Sequence, residues 1–459
     1  MRCDRCEKKP CRGGLLPLCS RQDRRQAPGE DKVIGRSVNL IYTGKCNDNL
    51  AKPLLYIPCD DEMQEVEEMK TEKPRNVPEK LLLGPGPTPV ESRVLRALSE
   101  PTLGHLDKDF VSIMDETRNL LRYVFQTEND LTVAMSGTGS AGMETACVNM
   151  IERGDKVIIC THGVFGTRMV DVAERCGADV VTVSSPMGKP IDAEDVARAV
   201  KENPDAKLVG IVHAETSTGV LQPLEEISKT AHDAGMFMLV DAVTSLGGME
   251  VPVDRLGLDM VYSGTQKCLA CPPGLAPVTV SPRAVEHIKN RQQKVQSWYL
   301  DLTMIMRYWG EERFYHHTAP VNMIYALNEA LRVIAEEGLE NRWKRHRKNA
   351  EALWAGLEAM GVKLLVDERY RLPSLTSIVV PEGVDEAAVR KDLMGEYAIE
   401  IGSGLGELKG KILRIGLMGS GSNKQNIVFF LSAFGNVLKK QGFKADVAGA
   451  LEAVEEKLS

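Results

Sequence analysis

From Phe110 to Tyr262 the chain alternates short apolar runs with stretches of helical periodicity, and that alternation restricts the fold more than any other feature. Strands are expected at Lys156–Cys160, Val180–Val183, Leu208–Val212, Phe237–Val240 and Met260–Tyr262. Helices are expected at Phe110–Phe125, Gly142–Ile151, Thr167–Cys176, Ala193–Glu202 and Pro223–Ala234. Strands and helices in turn define an α/β domain with a mainly parallel sheet. Ligands of such sheets bind at the carboxyl ends of the strands.

Two of those ends carry unusual residues. The run Met236-Phe237-Met238-Leu239-Val240 leads straight into Asp241, and the strand ending at Tyr262 leads into Ser263-Gly264-Thr265-Gln266-Lys267. An acid at a strand tip is often only a helix cap, and a lysine in a polar loop is usually solvated. Together, on neighbouring strand ends 26 positions apart, they fit the needs of pyridoxal phosphate. That cofactor requires an amine for covalent attachment and a carboxylate to keep its ring nitrogen protonated.

Ser136-Gly137-Thr138-Gly139-Ser140-Ala141-Gly142 is a glycine-rich turn opening a helix. Free N–H groups and the helix dipole suit a phosphate there. Gly137, Gly139 and Gly142 also satisfy G-x-G-x-x-G, so a nicotinamide-dependent oxidoreductase is the competing reading. A dinucleotide fold needs an acid near the end of the following strand; Lys156–Cys160 leads into Thr161-His162-Gly163 instead. A single phosphate held by Thr138, Gly139 and Ser140 is therefore expected. Phe165, on a glycine-flanked loop, is placed to stack on a ring. Arg414, in the apolar run Ile412-Leu413-Arg414-Ile415-Gly416, needs an anionic partner if buried; a substrate carboxylate would serve. Tyr315 and Thr318 offer hydroxyls to a phosphate. Between them, His316 and His317 should point to opposite sides of a strand and fail to share a metal ion.

Downstream, long helices are expected at Asn322–Glu337 and Glu340–Met360; after them, strands at Ser374–Val380 and Lys411–Gly416 with helices at Glu386–Tyr397 and Asn423–Gln441 make a smaller α+β domain. The expected division is an extension over 1–76, a large domain over 77–335 that includes the extended arm Leu81-Leu82-Leu83-Gly84-Pro85-Gly86-Pro87-Thr88-Pro89, and a small domain over 336–459. The extension lacks periodicity. Its first 26 residues carry eight Lys or Arg against three acids, as in a mitochondrial presequence, although Asp4, Glu7 and Asp23 count against one. Cys3, Cys6, Cys11 and Cys19 are a candidate zinc spacing without a second regular pair. Cys268 and Cys271 have redox spacing but no thioredoxin-like context. A net charge of −7 speaks against nucleic acid as a partner, and no apolar run reaches membrane-spanning length. The C-terminus, Glu456-Lys457-Leu458-Ser459, is not a peroxisomal tripeptide, so cytosol or mitochondrion is expected.

Taken with Glu215-Thr216-Ser217-Thr218-Gly219-Val220-Leu221-Gln222-Pro223, Val240-Asp241-Ala242-Val243 and Tyr315-His316-His317-Thr318, these segments resemble the class V, fold-type I aminotransferases. The likeness is to the alanine–glyoxylate and serine–pyruvate enzymes and the related 3-hydroxykynurenine transaminases, over roughly residues 78–440. The resemblance implies that Lys267 bears the cofactor and moves the substrate proton. It implies that Asp241 pairs with the ring nitrogen, that Phe165 and Val243 sandwich the ring, and that Thr216 lies near its hydroxyl. Thr138, Gly139, Ser140 and Gln266 would hold the phosphate from one subunit of a homodimer, with Tyr315 and Thr318 reaching it from the other. Arg414 would bind the substrate carboxylate. Animal members commonly have Trp where Phe165 stands and His where Ser140 stands; ring stacking and backbone contacts survive both changes. The implied activity moves an amino group from alanine or serine to glyoxylate or pyruvate with ping-pong kinetics. Sulfur-removing relatives need a cysteine on a mobile loop, and none is evident near Arg414.

Overall fold

The computed structural model describes residues 76–459. The readings made for the basic start and the cysteines of the first 75 residues lie outside that range. Seven strands form the main sheet: β1 (Leu131–Ser136), β2 (Lys156–Thr161), β3 (Asp179–Ser184), β4 (Leu208–Val212), β5 (Phe237–Asp241), β6 (Met260–Tyr262) and β7 (Leu275–Val280). Their spatial order is β1-β7-β6-β5-β4-β2-β3. Neighbours from β6 through β3 run parallel, and β7 is antiparallel to both β1 and β6. Every residue of β4 is buried, as expected where helices cover both faces of a parallel sheet. Close covering is visible at Gly210 in β4, where an added Cβ would lie 2.7 Å from Ile159 and 2.9 Å from Met169.

The five strands read from the sequence occur at those positions. β1 and β7 were not expected. Pro277 sits inside β7 with no N–H to give, which argues against an interior strand from sequence alone; its carbonyl still accepts from Ser263 N at 2.8 Å. Both strands bear on the site, since β1 delivers the glycine-rich turn and β7 holds β6 in place.

Two large hydrophobic clusters and a small third one, around Ala214, Met249, Cys268 and Leu372, hold the described residues together; the two large ones differ in place. One follows the sheet and its helices from Val94 to Leu339, with helix α1 (Gly139–Met150), helix α2 (Val164–Arg175) and helix α3 (Val321–Glu337) among its walls. The other is built from helix α4 (Leu339–Ala359), the antiparallel strands Leu375–Val379, Ile412–Gly416 and Gly402–Ser403, and the later helices. That cluster includes Leu83, at the start of the arm. Leu81 N donates to Ala398 O and Leu83 N to Glu400 O, each at 2.9 Å, in a parallel pairing with Ile399–Glu400. A last helix at Val447–Leu458, not expected from the sequence, closes against α4.

Candidate active site

The carboxyl ends of β1, β2, β4, β5 and β6 lie along one edge of the sheet, and the candidate residues gather there. Asp241 closes β5 and is 3% exposed. Its Oδ1 accepts from Val243 N and its Oδ2 from the hydroxyl of Tyr262, both at 2.8 Å. Tyr262 stands directly across from it in the β5–β6 register. Burial pushes the Asp241 carboxyl up to about 6, with the two donors pulling the other way. Burial drives the Tyr262 phenol well above its ordinary value, so it stays a donor.

Lys267, five residues beyond β6, is 8% exposed. Burial lowers its amine to about 8. The ammonium donates to the carbonyl of Pro85, in the arm. Gly86 follows at φ +109°, and a Cβ there would fall 2.6 Å from Lys267 Nζ. The arm is thus a wall of the site and must be a glycine where it crosses the amine.

The cavity between these groups is lined by Gly139, Ser140, Met143, Phe165, Arg168, Thr216, Asp241, Val243, Gln266 and Lys267, among others. Thr216 Oγ1 pairs with Thr244 Oγ1 at 2.9 Å. Gly139 and Ser140 begin the twelve-residue α1, whose first N–H groups have no intrahelical acceptor. The buried Gln266 Oε1 has no partner among the described residues. Thr138, just before the helix, is exposed and stands outside the lining. Arg414 is 5% exposed. It donates from Nε to Ser403 O at 2.7 Å and from Nη1 to Thr216 O at 2.8 Å, and it makes no ion pair among the described residues. Burial lowers its guanidinium to about 10.

Tyr315 and Thr318 are exposed and do not line this cavity. The intervening histidines correct the expectation drawn from strand geometry. Their Nδ1 atoms lie 2.8 Å apart and the rings meet edge to face. The segment is irregular rather than a strand, so alternation does not apply to it. His317 Nε2 reaches Ser136 Oγ at 2.8 Å, fastening this loop to the end of β1. Cys268 and Cys271 are buried free thiols, raised by burial.

Sequence reading passed over Tyr262, Pro85, Arg168 and Glu215. The carboxylate of Glu215 is fully buried and accepts from four donors; it lay inside a quoted motif without a role. Arg168 sits over the Phe165 ring at 4.9 Å.

An unpartnered amide oxygen, free helix N–H groups and an apolar pair, Val243 and Phe165, surround a space with a carboxylate and an amine at its floor. This donor set fits pyridoxal phosphate: phosphate at the head of α1, ring nitrogen at Asp241, aldehyde carbon at Lys267. Sheet and site together define a fold-type I, pyridoxal-phosphate-dependent enzyme. The chain belongs to the class V aminotransferases, whose family model matches residues 82–413.

Solved and curated relatives agree. An alanine–glyoxylate aminotransferase structure from Nostoc sp. is 49% identical, with a TM-score of 0.79 over 80% of this chain and 97% of its own. The (S)-ureidoglycine–glyoxylate transaminase of Bacillus subtilis is 39% identical, covering 82% of this chain and 94% of its own length. The alanine–glyoxylate aminotransferase of Rattus norvegicus is 40% identical over 77% of this chain and 86% of its own.

Proposed function

We propose that this aminotransferase takes the amino group of a small amino acid, alanine or serine, and gives it to glyoxylate or pyruvate in two half-reactions. The observation that carries the reading is Arg414: a buried guanidinium without an ion-pair partner among the described residues, beside Thr216 and close enough to Lys267 to act on its charge. A cation in that state is completed by a carboxylate, and both substrates of such a transfer bring one. Relatives named for glyoxylate support the acceptor.

Pyridoxal phosphate, when bound, supplies the electron sink that makes the α-proton of an amino acid removable. With the cofactor bound, Lys267 would be the group at hand to accept and give back that proton at Nζ. Its lowered basicity leaves a neutral amine available near physiological pH. Asp241 would keep the ring nitrogen protonated, its orientation fixed by Tyr262 and Val243. Phe165 and Val243 would hold the ring between them, and the arm at Pro85–Gly86 covers the amine. We assign Tyr315 and Thr318 to the site of a second copy of the chain, since they lie exposed and away from their own cavity.

The test is a matrix of L-alanine and L-serine against glyoxylate and pyruvate, with initial velocities at several fixed acceptor concentrations. Parallel double-reciprocal lines for at least one pair are expected. Converging lines, or no transfer with any pair, would overturn the reading.

A further inference from the structure

Glu215 is neither a lining residue of the cavity nor exposed to solvent, yet it stands between three parts of the site. It ends the first arm of the hairpin Ala214–Glu215/Val220–Leu221. Its Oε2 accepts from Phe165 N at 3.2 Å and Gly166 N at 3.3 Å. Its Oε1 accepts from Ser217 N at 3.0 Å and Ser217 Oγ at 2.6 Å. Ser217 Oγ in turn accepts from Val164 N at 3.0 Å. The first three N–H groups of α2, orphaned by helix geometry, are thus satisfied by an acid and a hydroxyl about 50 residues downstream. Gly163, the residue before the helix, has extended backbone that any residue adopts. It is glycine because a Cβ would overlap the Glu215 side chain.

Four donors converge on two oxygens. A protonated carboxyl would turn an O–H toward donors, so the geometry holds Glu215 ionised against the burial that raises it. A buried carboxylate at a helix N-terminus is stabilised by the dipole. The next peptide carbonyl, Thr216 O, accepts from Arg414 Nη1, and the charge of Glu215 acts on that guanidinium.

We propose that Glu215 is a positioning residue for the transamination site: it fixes the backbone of Phe165, and so the ring that stacks on the cofactor, and through the hairpin it holds Arg414 where a substrate carboxylate binds. One side chain would then set both the cofactor sandwich and the substrate anchor. The Arg414 half of the inference rests on the function proposed above; the Phe165 half requires only that the protein bind pyridoxal phosphate.

The test uses the full chain with Glu215→Gln, which keeps the shape but turns one N–H₂ toward donor groups. We expect Kd for pyridoxal phosphate to rise about tenfold or more, for two buried donors left without acceptors. Amide exchange at Val164–Gly166 should accelerate, and KM for L-alanine should rise more than kcat falls. Unchanged cofactor affinity and unchanged exchange would overturn the proposal. So would a lower unfolding temperature with Kd and KM as in the native chain, which marks a role in stability alone. If Glu215→Gln fails to fold, Ser217→Ala, which removes one donor to Glu215 and the acceptor of Val164 N, is read by the same measurements, with smaller shifts of the same sign expected and no shift contradicting the proposal. If the native chain binds pyridoxal phosphate but transfers no amino group from alanine or serine, the function proposed above fails while affinity and exchange still decide the role of Glu215 toward Phe165.

Discussion

Tyr262→Phe removes one hydroxyl and keeps the buried ring. In the native chain that hydroxyl donates to Asp241 Oδ2 at 2.8 Å, and Val243 N donates to Oδ1. Asp241 already titrates near 6 because it is buried. A hydrogen bond to a charged group contributes about 1.5–3 kcal/mol, and about 1.4 kcal/mol corresponds to one pH unit. Losing the donor disfavours the ionised carboxyl, so its pKa rises further. The acid limb of kcat/KM should therefore move up by about one to two pH units. At a fixed pH near neutrality, less Asp241 is ionised and the pyridine ring is held less well protonated. The assay is the pH profile of the first half-reaction, followed by the visible spectrum of the bound cofactor, for both proteins. A Tyr262→Phe profile that overlays the native one, or moves toward lower pH, would refute the assignment of Tyr262 as the residue that keeps Asp241 ionised.

Arg414→Gln keeps hydrogen bonding toward Ser403 and Thr216 but removes the charge; KM for amino acid and keto acid should rise about 10- to 100-fold, with pyridoxal phosphate affinity unchanged in an equilibrium titration. Lys267, lowered to about 8 from an ordinary 10.5, reacts as the neutral amine. Cofactor uptake by the apo-protein in stopped flow should therefore accelerate with rising pH and level off above about 8, whereas an inflection near 10 contradicts the burial argument. Arg342 is 2% exposed and donates to Gly247 O at 3.0 Å, Cys268 O at 2.8 Å and Glu337 at 2.7 Å, while Arg345 joins Glu337 to Gly419 O and Ser422 O. Glu337→Gln leaves two guanidiniums without their shared anion and should lower unfolding stability in urea by about 1–3 kcal/mol, the partly exposed carboxylate keeping the loss below that of a fully buried pair.

Asp241 and Lys267 were legible because their message is local: an apolar run marks the strand, and the residue at its tip marks the cleft. The five parallel strands were legible for the same reason. What was not legible depends on pairings distant in sequence. Tyr262 reaches Asp241 only through the β5–β6 register, which no spacing rule specifies. Glu215 acts on Phe165, 50 positions earlier, because the short hairpin Ala214–Glu215/Val220–Leu221 folds back over the head of α2. Leu83 enters the second cluster by pairing with a strand more than 300 positions away. β7 was hidden by Pro277. The histidine pair was misread because periodic reasoning was applied to a loop. The glycine-rich turn was read correctly as a helix start, although Thr138 itself lies just outside the cavity.

The amine that carries the cofactor decides how this site works. Purified protein loaded with pyridoxal phosphate, reduced with borohydride and digested, should yield one peptide bearing the added pyridoxyl phosphate mass, with the label on Lys267 and none recovered from Lys267→Ala. Label on another lysine, or a protein that retains no label after reduction, would contradict it.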